Sequence, residues 1–129
     1  MIYVLDTHVI VWAIENDPRL SAAAKAVLKN PASEFVLPTM VLVEVQFLTA
    51  KKRFSANLAQ VYQQFINSTN CTVYPLDEKV VSKIPIGLDI HDSIITATAL
   101  VYRDLFQQPV TLITKDSKIT LSGLIQTLW

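Results

Sequence analysis

The chain opens on a short apolar, partly β-branched run, Ile2 to Leu5, that stops at Asp6. Such a run reads as a buried strand. Thr7 is suited to cap a following helix, which ends near Asp17-Pro18 because a residue before proline is pushed out of the helical region. Ser21 caps a second helix, Ala22 to about Lys29, ended by Asn30-Pro31. Phe35 to Leu37 is a short strand stopped by Pro38. From Thr39 to about Lys52 the valines favour strand, but the length, the Thr39 cap and the basic end Lys51-Lys52-Arg53 favour helix, which is the expectation adopted. Ser55 caps the clearest helical pattern, with Leu58, Val61, Tyr62, Phe65 and Ile66 on one face.

The second half continues the alternation. Thr72 to Tyr74 is a short strand bounded by Pro75, and Asp77 caps a short helix that ends before Pro85. Asp92 to about Phe106 is a long helix with a wide apolar face. Val110 to Ile113 follows Pro109 as a clean strand, Asp116 to Ile119 forms a turn or short helix, and Leu124 to Trp129 is compatible with a last short strand. Alternating strands and helices predict an α/β fold: a short, mostly parallel central sheet with helices on both faces. In such sheets ligands sit beyond the carboxyl ends of the strands.

Composition narrows the picture. At 129 residues, a single domain spanning 1–129 is expected. Hydrophobic residues are 51% and charged residues only 17%, which excludes disorder and makes each charge inside an apolar run informative. The formal net charge is zero, so any nucleic-acid contact must come from a local patch or from bound cations. Only Gly87 and Gly123 are glycines, which excludes Gly-rich phosphate loops and the dinucleotide fingerprint. The lone Cys71 makes no internal disulfide and joins no Cys/His cluster, and it reads as a small buried hydrophobe. The apolar start lacks a basic leader and carries Asp6 in its middle, and no stretch reaches the roughly 20 apolar residues of a membrane span. The expectation is a soluble, cytoplasmic protein with no membrane partner.

Several acids stand where a core should be. Asp6 ends the first strand, where it is either a helix cap or a functional carboxylate that is costly to bury unpaired. Glu44 is the only charge in Met40 to Leu48, and on a helix it shares a face with Val41, Phe47 and Leu48. Asp89 and Asp92 straddle the start of the long helix; capping explains one of them more easily than both. Asp116 lies just past the late strand, as a turn residue, a cap or a ligand. Clustered carboxylates repel and resist desolvation, and a divalent cation relieves both. Hard oxygen donors select Mg²⁺ or Mn²⁺, which can activate water and stabilise charge on a displaced phosphate oxygen. The pattern points to phosphodiester hydrolysis.

These residues resemble a known family. Leu5-Asp6-Thr7-His8-Val9 is similar to the first motif of PIN-domain nucleases, especially VapC-type toxins of toxin–antitoxin modules. Val43-Glu44-Val45 resembles their second acidic motif, Asp89 to Ala99 their third, and Leu112 to Asp116 their fourth, in the right order and across nearly the whole chain. The resemblance implies Mg²⁺- or Mn²⁺-dependent cleavage of RNA, a cognate antitoxin and homodimers. It carries Asp6, Glu44, Asp92 and Asp116 over as catalytic metal ligands, with Asp89 as an additional acid. Thr7 and Thr114 match hydroxyls that support the first and fourth acids. Two positions depart from the pattern: Ile90 where many relatives have proline, and Ser93 where they often have arginine or lysine, a change that would alter a substrate contact or salt bridge.

Other residues carry weaker chemistry. His8 and His91 could ligate or act as bases, but no spacing demands it. Trp12 and Trp129 read as packing, and Lys51-Lys52-Arg53 as either a phosphate contact or a solvated helix end. A catalytically weak binding module on the same fold is the alternative function, although all four acids are present. An aspartate-phosphorylated signalling or phosphatase domain fits less well, because Asp6 is followed by Thr7 and His8 where a second acid is needed.

Overall fold

The computed structural model describes residues 1–129. Strand β1 (Ile2–Leu5) lies in the middle of a five-stranded parallel sheet, paired with β2 (Glu34–Pro38) on one side and β4 (Val110–Ile113) on the other. β3 (Cys71–Tyr74) pairs with the far side of β2, and β5 (Thr127–Leu128) with the far side of β4, giving the order β3-β2-β1-β4-β5. The chain moves outward from β1 to β3, then returns to place β4 against β1. With right-handed crossovers this reversal puts the earlier and later helices on opposite faces. All four residues of β4 are buried, and successive side chains of a strand point to opposite faces, so both faces are covered. The order reverses between β1 and β4, and the carboxyl ends of those strands border the crevice where open α/β sheets bind ligands.

Seven helices complete the fold: α1 (Thr7–Glu15), α2 (Ala22–Lys29), α3 (Thr39–Ala50), α4 (Leu58–Val61), α5 (Glu78–Ser82), α6 (Ile90–Leu100) and α7 (Ser117–Ser122). α6 is buried at every residue from Ser93 to Leu100 and closes the core against the sheet, with Ile95 fully enclosed among Leu5, Leu37, Leu112 and Ile113. A smaller apolar cluster, Val80, Ile94, Ala97 and Val101, fastens α5 to α6. No helix is long and apolar enough to cross a membrane. Cys71 is half-buried and free, and burial pushes its thiol up to about 11.

Helix termini are where expectation and structure part. Asp6 holds the cap position of α1, and Thr7 is its first helical residue. Asn57 caps α4 through a reciprocal box with Gln60, while Ser55 instead donates twice to Glu15 Oε2, at 2.9 Å from its N–H and 2.7 Å from its hydroxyl. α6 starts at Ile90, two residues before the expected Asp92, because the Asp89 carboxylate accepts from the Asp92 N–H and stops the chain there. α4 and α6 both end in a π-helical turn, Tyr62–Ile66 and Val101–Leu105, whose i→i+5 bonding breaks the 3.6 periodicity and turns Tyr62 out to solvent. On α3 the buried positions are Val41 and Val45, while Phe47, expected beside Glu44 on the apolar face, is exposed.

Leu112 sits fully enclosed in the strand that carries one side of the crevice. Leu112→Ala should cost about 2–5 kcal/mol in urea unfolding. The exposed Val81→Ala should stay within about 0.5 kcal/mol.

Candidate active site

The cleft at the β1/β4 crevice has a volume of ≈ 410 Å³ and is walled by Asp6, Glu44, Asp89, Asp92 and Asp116 together with His8, Trp12, Lys115, Ser117 and Lys118. The four acids picked out in the sequence, and Asp89 beside them, thus come to one place from four helices or their caps.

Asp6 is the innermost. Its backbone N–H continues the sheet by donating to Ile113 O at 3.1 Å. Its side chain is 8% exposed, with Oδ1 accepting from the Thr7 N–H at 2.7 Å and Oδ2 from the Thr114 hydroxyl at 2.6 Å. Burial raises the Asp6 pKa, the two hydrogen bonds oppose that rise, and nearby Asp116 adds to it. The same threonines reach outward. The Thr7 hydroxyl donates to Glu44 Oε1 at 2.8 Å, and Thr114 Oγ1 accepts from the Asp116 N–H at 3.0 Å. The two threonines are thus paired differently from the expectation: Thr7 gives its hydroxyl to Glu44 and only its N–H to Asp6, while Thr114 gives its hydroxyl to Asp6 and meets Asp116 only through the backbone N–H of that residue.

Glu44 is half-buried one turn into α3, and its pKa is raised, by burial first and then by the charge on Asp6. Its second oxygen lies 3.5 Å from His91 Nδ1, so His91 meets the site through Glu44, whereas His8 stands on the cleft wall with its ring against Trp12 and Phe54. Asp92, in the first turn of α6, is pushed up to about 7 by burial and by repulsion from Asp116, Asp89 and Asp6. Asp116 caps α7 with Oδ1, which accepts from the Lys118 and Ile119 N–H groups, and leaves Oδ2 free of hydrogen bonds. Capping and clustering are thus not alternatives for Asp6, Asp89 and Asp116, because each caps a helix and faces the cleft.

The two departures from the motif lie elsewhere. Ser93 is buried and donates to Leu88 O at 3.2 Å, and with the exposed Ile90 it borders a separate apolar groove formed with Val81, Ile84 and Ile86. Serine at 93 therefore makes no charged contact within the cleft. Lys115, Ser117 and Lys118 line the cleft beyond the residues the sequence singles out, and Trp12 does more than pack. Trp12 is packed, 4% exposed, but it also forms part of the cleft wall. The only signal for the lysines was their position around Asp116.

Residues 3–121 match the family described as PIN domain. The chain belongs to the PIN domain family. No curated protein matches the sequence, but solved structures match its fold along nearly its full length. A toxin–antitoxin complex from Klebsiella pneumoniae superposes with a TM-score of 0.67 at 18% identity, covering 98% of this chain and 96% of that one. VapBC2 from Rickettsia felis, bound to a DNA fragment from its promoter, gives 0.66 at 17% identity over 99% and 98% of the two chains. FitAcB from Neisseria gonorrhoeae gives 0.65 at 17% identity over 100% and 97%. At these identities the likeness speaks for the fold. Within that PIN fold, the acids of this chain occupy the sheet's switch point.

Hard oxygen donors crowd this cleft, and Asp6, Glu44 and Asp92 all hold protons more tightly than ordinary carboxyls, the electrostatic condition that a divalent cation relieves. As placed, no three of the side chains form a ready-made ion site. The donor chemistry fits Mg²⁺ or Mn²⁺, and Asp116 keeps Oδ2 free of hydrogen bonds.

Two outcomes follow. Thr114→Val removes a donor from a buried carboxylate and should cost about 1.5–3 kcal/mol in urea unfolding, with Thr114→Ser close to wild type. In the folded chain Asp92 keeps its proton up to about pH 7, whereas unfolded it releases it near 3.8, so the folded state binds more protons between these values and stability falls as pH rises through them. Asp92→Asn should therefore raise Tm in chelator at pH 8, and the gain should shrink toward pH 4.

Proposed function

We propose that residues 1–129 form one metal-dependent endoribonuclease domain that hydrolyses RNA phosphodiester bonds and serves as the toxin of a toxin–antitoxin pair. The observation that carries this reading is the gathering of Asp6, Glu44, Asp92 and Asp116 in one cleft at the sheet's switch point, in a chain of the PIN domain family. Asp6, Glu44, Asp92 and Asp116 would hold Mg²⁺ or Mn²⁺, with Asp89 as an additional acid. The bound cation would supply Lewis-acid stabilisation of phosphate charge and activation of water. The chain's own residues do the positioning. Thr114 and the Thr7 N–H fix the inner carboxylate, the Thr7 hydroxyl aims Glu44, and Asp89 sets the first turn of α6 so that Asp92 faces the cleft.

The toxin reading is supported by the nearly full-length fold match to a chain of the toxin–antitoxin complex from Klebsiella pneumoniae. The corresponding partner is a cognate antitoxin, with a homodimer as the assembly and the cytoplasm as the site of action. The catalytically weak binding module is disfavoured, since all four acids are present and brought together.

Wild-type protein incubated with RNA and Mn²⁺ should cut it, chelator should stop the cutting, and Asp6→Asn and Asp92→Asn should each lower the rate at least about 100-fold, the scale on which one group placed at the transition state contributes. Equal cleavage by wild type and both variants would refute the assignment. Growth arrest on expression, relieved by co-expressing the neighbouring small reading frame, tests the toxin half separately.

A further inference from the structure

The cleft has a second pole that the acids do not explain. Lys115 and Lys118 share its wall with five carboxylates, yet neither lies within ion-pairing distance of any acid. Lys115 Nζ instead lies 5.3 Å from the centre of the Trp12 ring. The same ring carries the Arg19 guanidinium at 4.7 Å and packs against Trp129 at 5.8 Å between ring centres. A cation over an indole face is attracted by the ring quadrupole, and the attraction grows when the ring is buried, as Trp12 is. Trp12 thus parks an ammonium away from Asp6 and Asp116, although Lys115 is the immediate chain neighbour of Asp116.

Trp12 also lines a second hollow of ≈ 240 Å³, bordered by Asn16, Asp17, Lys25 and Lys29. Asp17 is neutralised there by Arg19 at 2.8 Å, whereas Lys25 and Lys29 have no acidic partner. Two hollows that share Trp12 thus carry two free lysines each, Lys115 and Lys118 in one and Lys25 and Lys29 in the other, in a chain whose net charge is zero.

We propose that these lysines mark the track of the RNA strand: Lys115, positioned by Trp12, holds a phosphate flanking the one that is cut, and Lys25 and Lys29 hold phosphates further along the same strand. The inference rests on the ribonuclease reading and adds where the substrate lies and which way it leaves the cleft. Free lysines on one path suit a polyanion read by its backbone, and the indole is too buried to stack on a base, so the track carries affinity without sequence preference. Trp12 is a positioning residue in this scheme, acting through Lys115.

The test is binding of a fluorescein-labelled single-stranded oligoribonucleotide to the Asp92→Asn protein in Mg²⁺ buffer, followed by anisotropy from 50 to 200 mM salt. Each phosphate contact on a single strand contributes about 0.7 to the slope of log affinity against log salt. Lys115→Ala should lower the slope by about 0.7 and weaken binding about 3- to 10-fold, and the Lys25→Ala/Lys29→Ala pair should lower it by about 1.4. Trp12→Phe, which keeps a ring under the ammonium, should retain most of the slope, and Lys79→Ala should leave it unchanged. An unchanged slope in Lys115→Ala and in the Lys25/Lys29 pair would overturn the track, as would its loss in Lys51→Ala/Lys52→Ala/Arg53→Ala instead. If wild type cuts RNA while those slopes are unchanged, the track falls and the ribonuclease reading stands. If the protein neither binds nor cuts RNA, both fall.

Discussion

A carboxylate at the inner end of the central strand is the constraint around which this molecule is arranged. Removing a charge of that kind from water costs several kcal/mol, and an opposing set of donors must be built to hold it. Asp6 finds one donor in the next residue, the Thr7 N–H, and another in Thr114 at the end of β4. Both partners are themselves links. Through the Thr7 hydroxyl the chain of hydrogen bonds passes to Glu44 on α3, and through Thr114 Oγ1 it passes to the backbone of Asp116 ahead of α7. One buried charge thereby fixes the relative placement of two strands and three helices at the mouth of the crevice.

That arrangement separates stability from chemistry. The core is apolar and closed, with Leu5, Ile95, Leu112 and Ile113 fully enclosed beneath the cleft. The cleft floor is the opposite, a group of acids that raise one another's proton affinity. A net charge of zero conceals this local excess of acid, in which five carboxylates share one wall with Lys115 and Lys118.

Much of this was legible in the sequence, for reasons that differ by element. β1, α2 and β4 occupy the residues their apolar runs and flanking prolines predict, because their limits are set locally by side-chain type. The acids were legible for a related reason: a charge inside an apolar run, as at Asp6 and Glu44, has few bland explanations. The cap of α4 was misread because Ser55 and Asn57 are both good caps, and the choice is made by Glu15, which lies forty positions away and takes Ser55 for itself. The π-helical turns ending α4 and α6 leave no mark in a 3.6-residue pattern until the pattern fails. Lys115 over Trp12 is likewise a contact between segments a hundred residues apart, invisible to any reading of neighbours.

The bond from Thr114 to Asp6 spans 108 positions of chain, and the bond from Thr7 to Glu44 spans 37. Closing a loop of the longer span costs about 4 kcal/mol of chain entropy beyond a constant, repaid only when β4 is seated against β1. Local contacts cannot repay it in advance, so the cleft is assembled late, together with the central pairing of the sheet. A chain that has not yet seated β4 accordingly lacks the Thr114 bond that holds Asp6 and the approach of Asp116. The carboxylates converge only in the finished fold, and whatever they do in the cell is withheld until folding is complete.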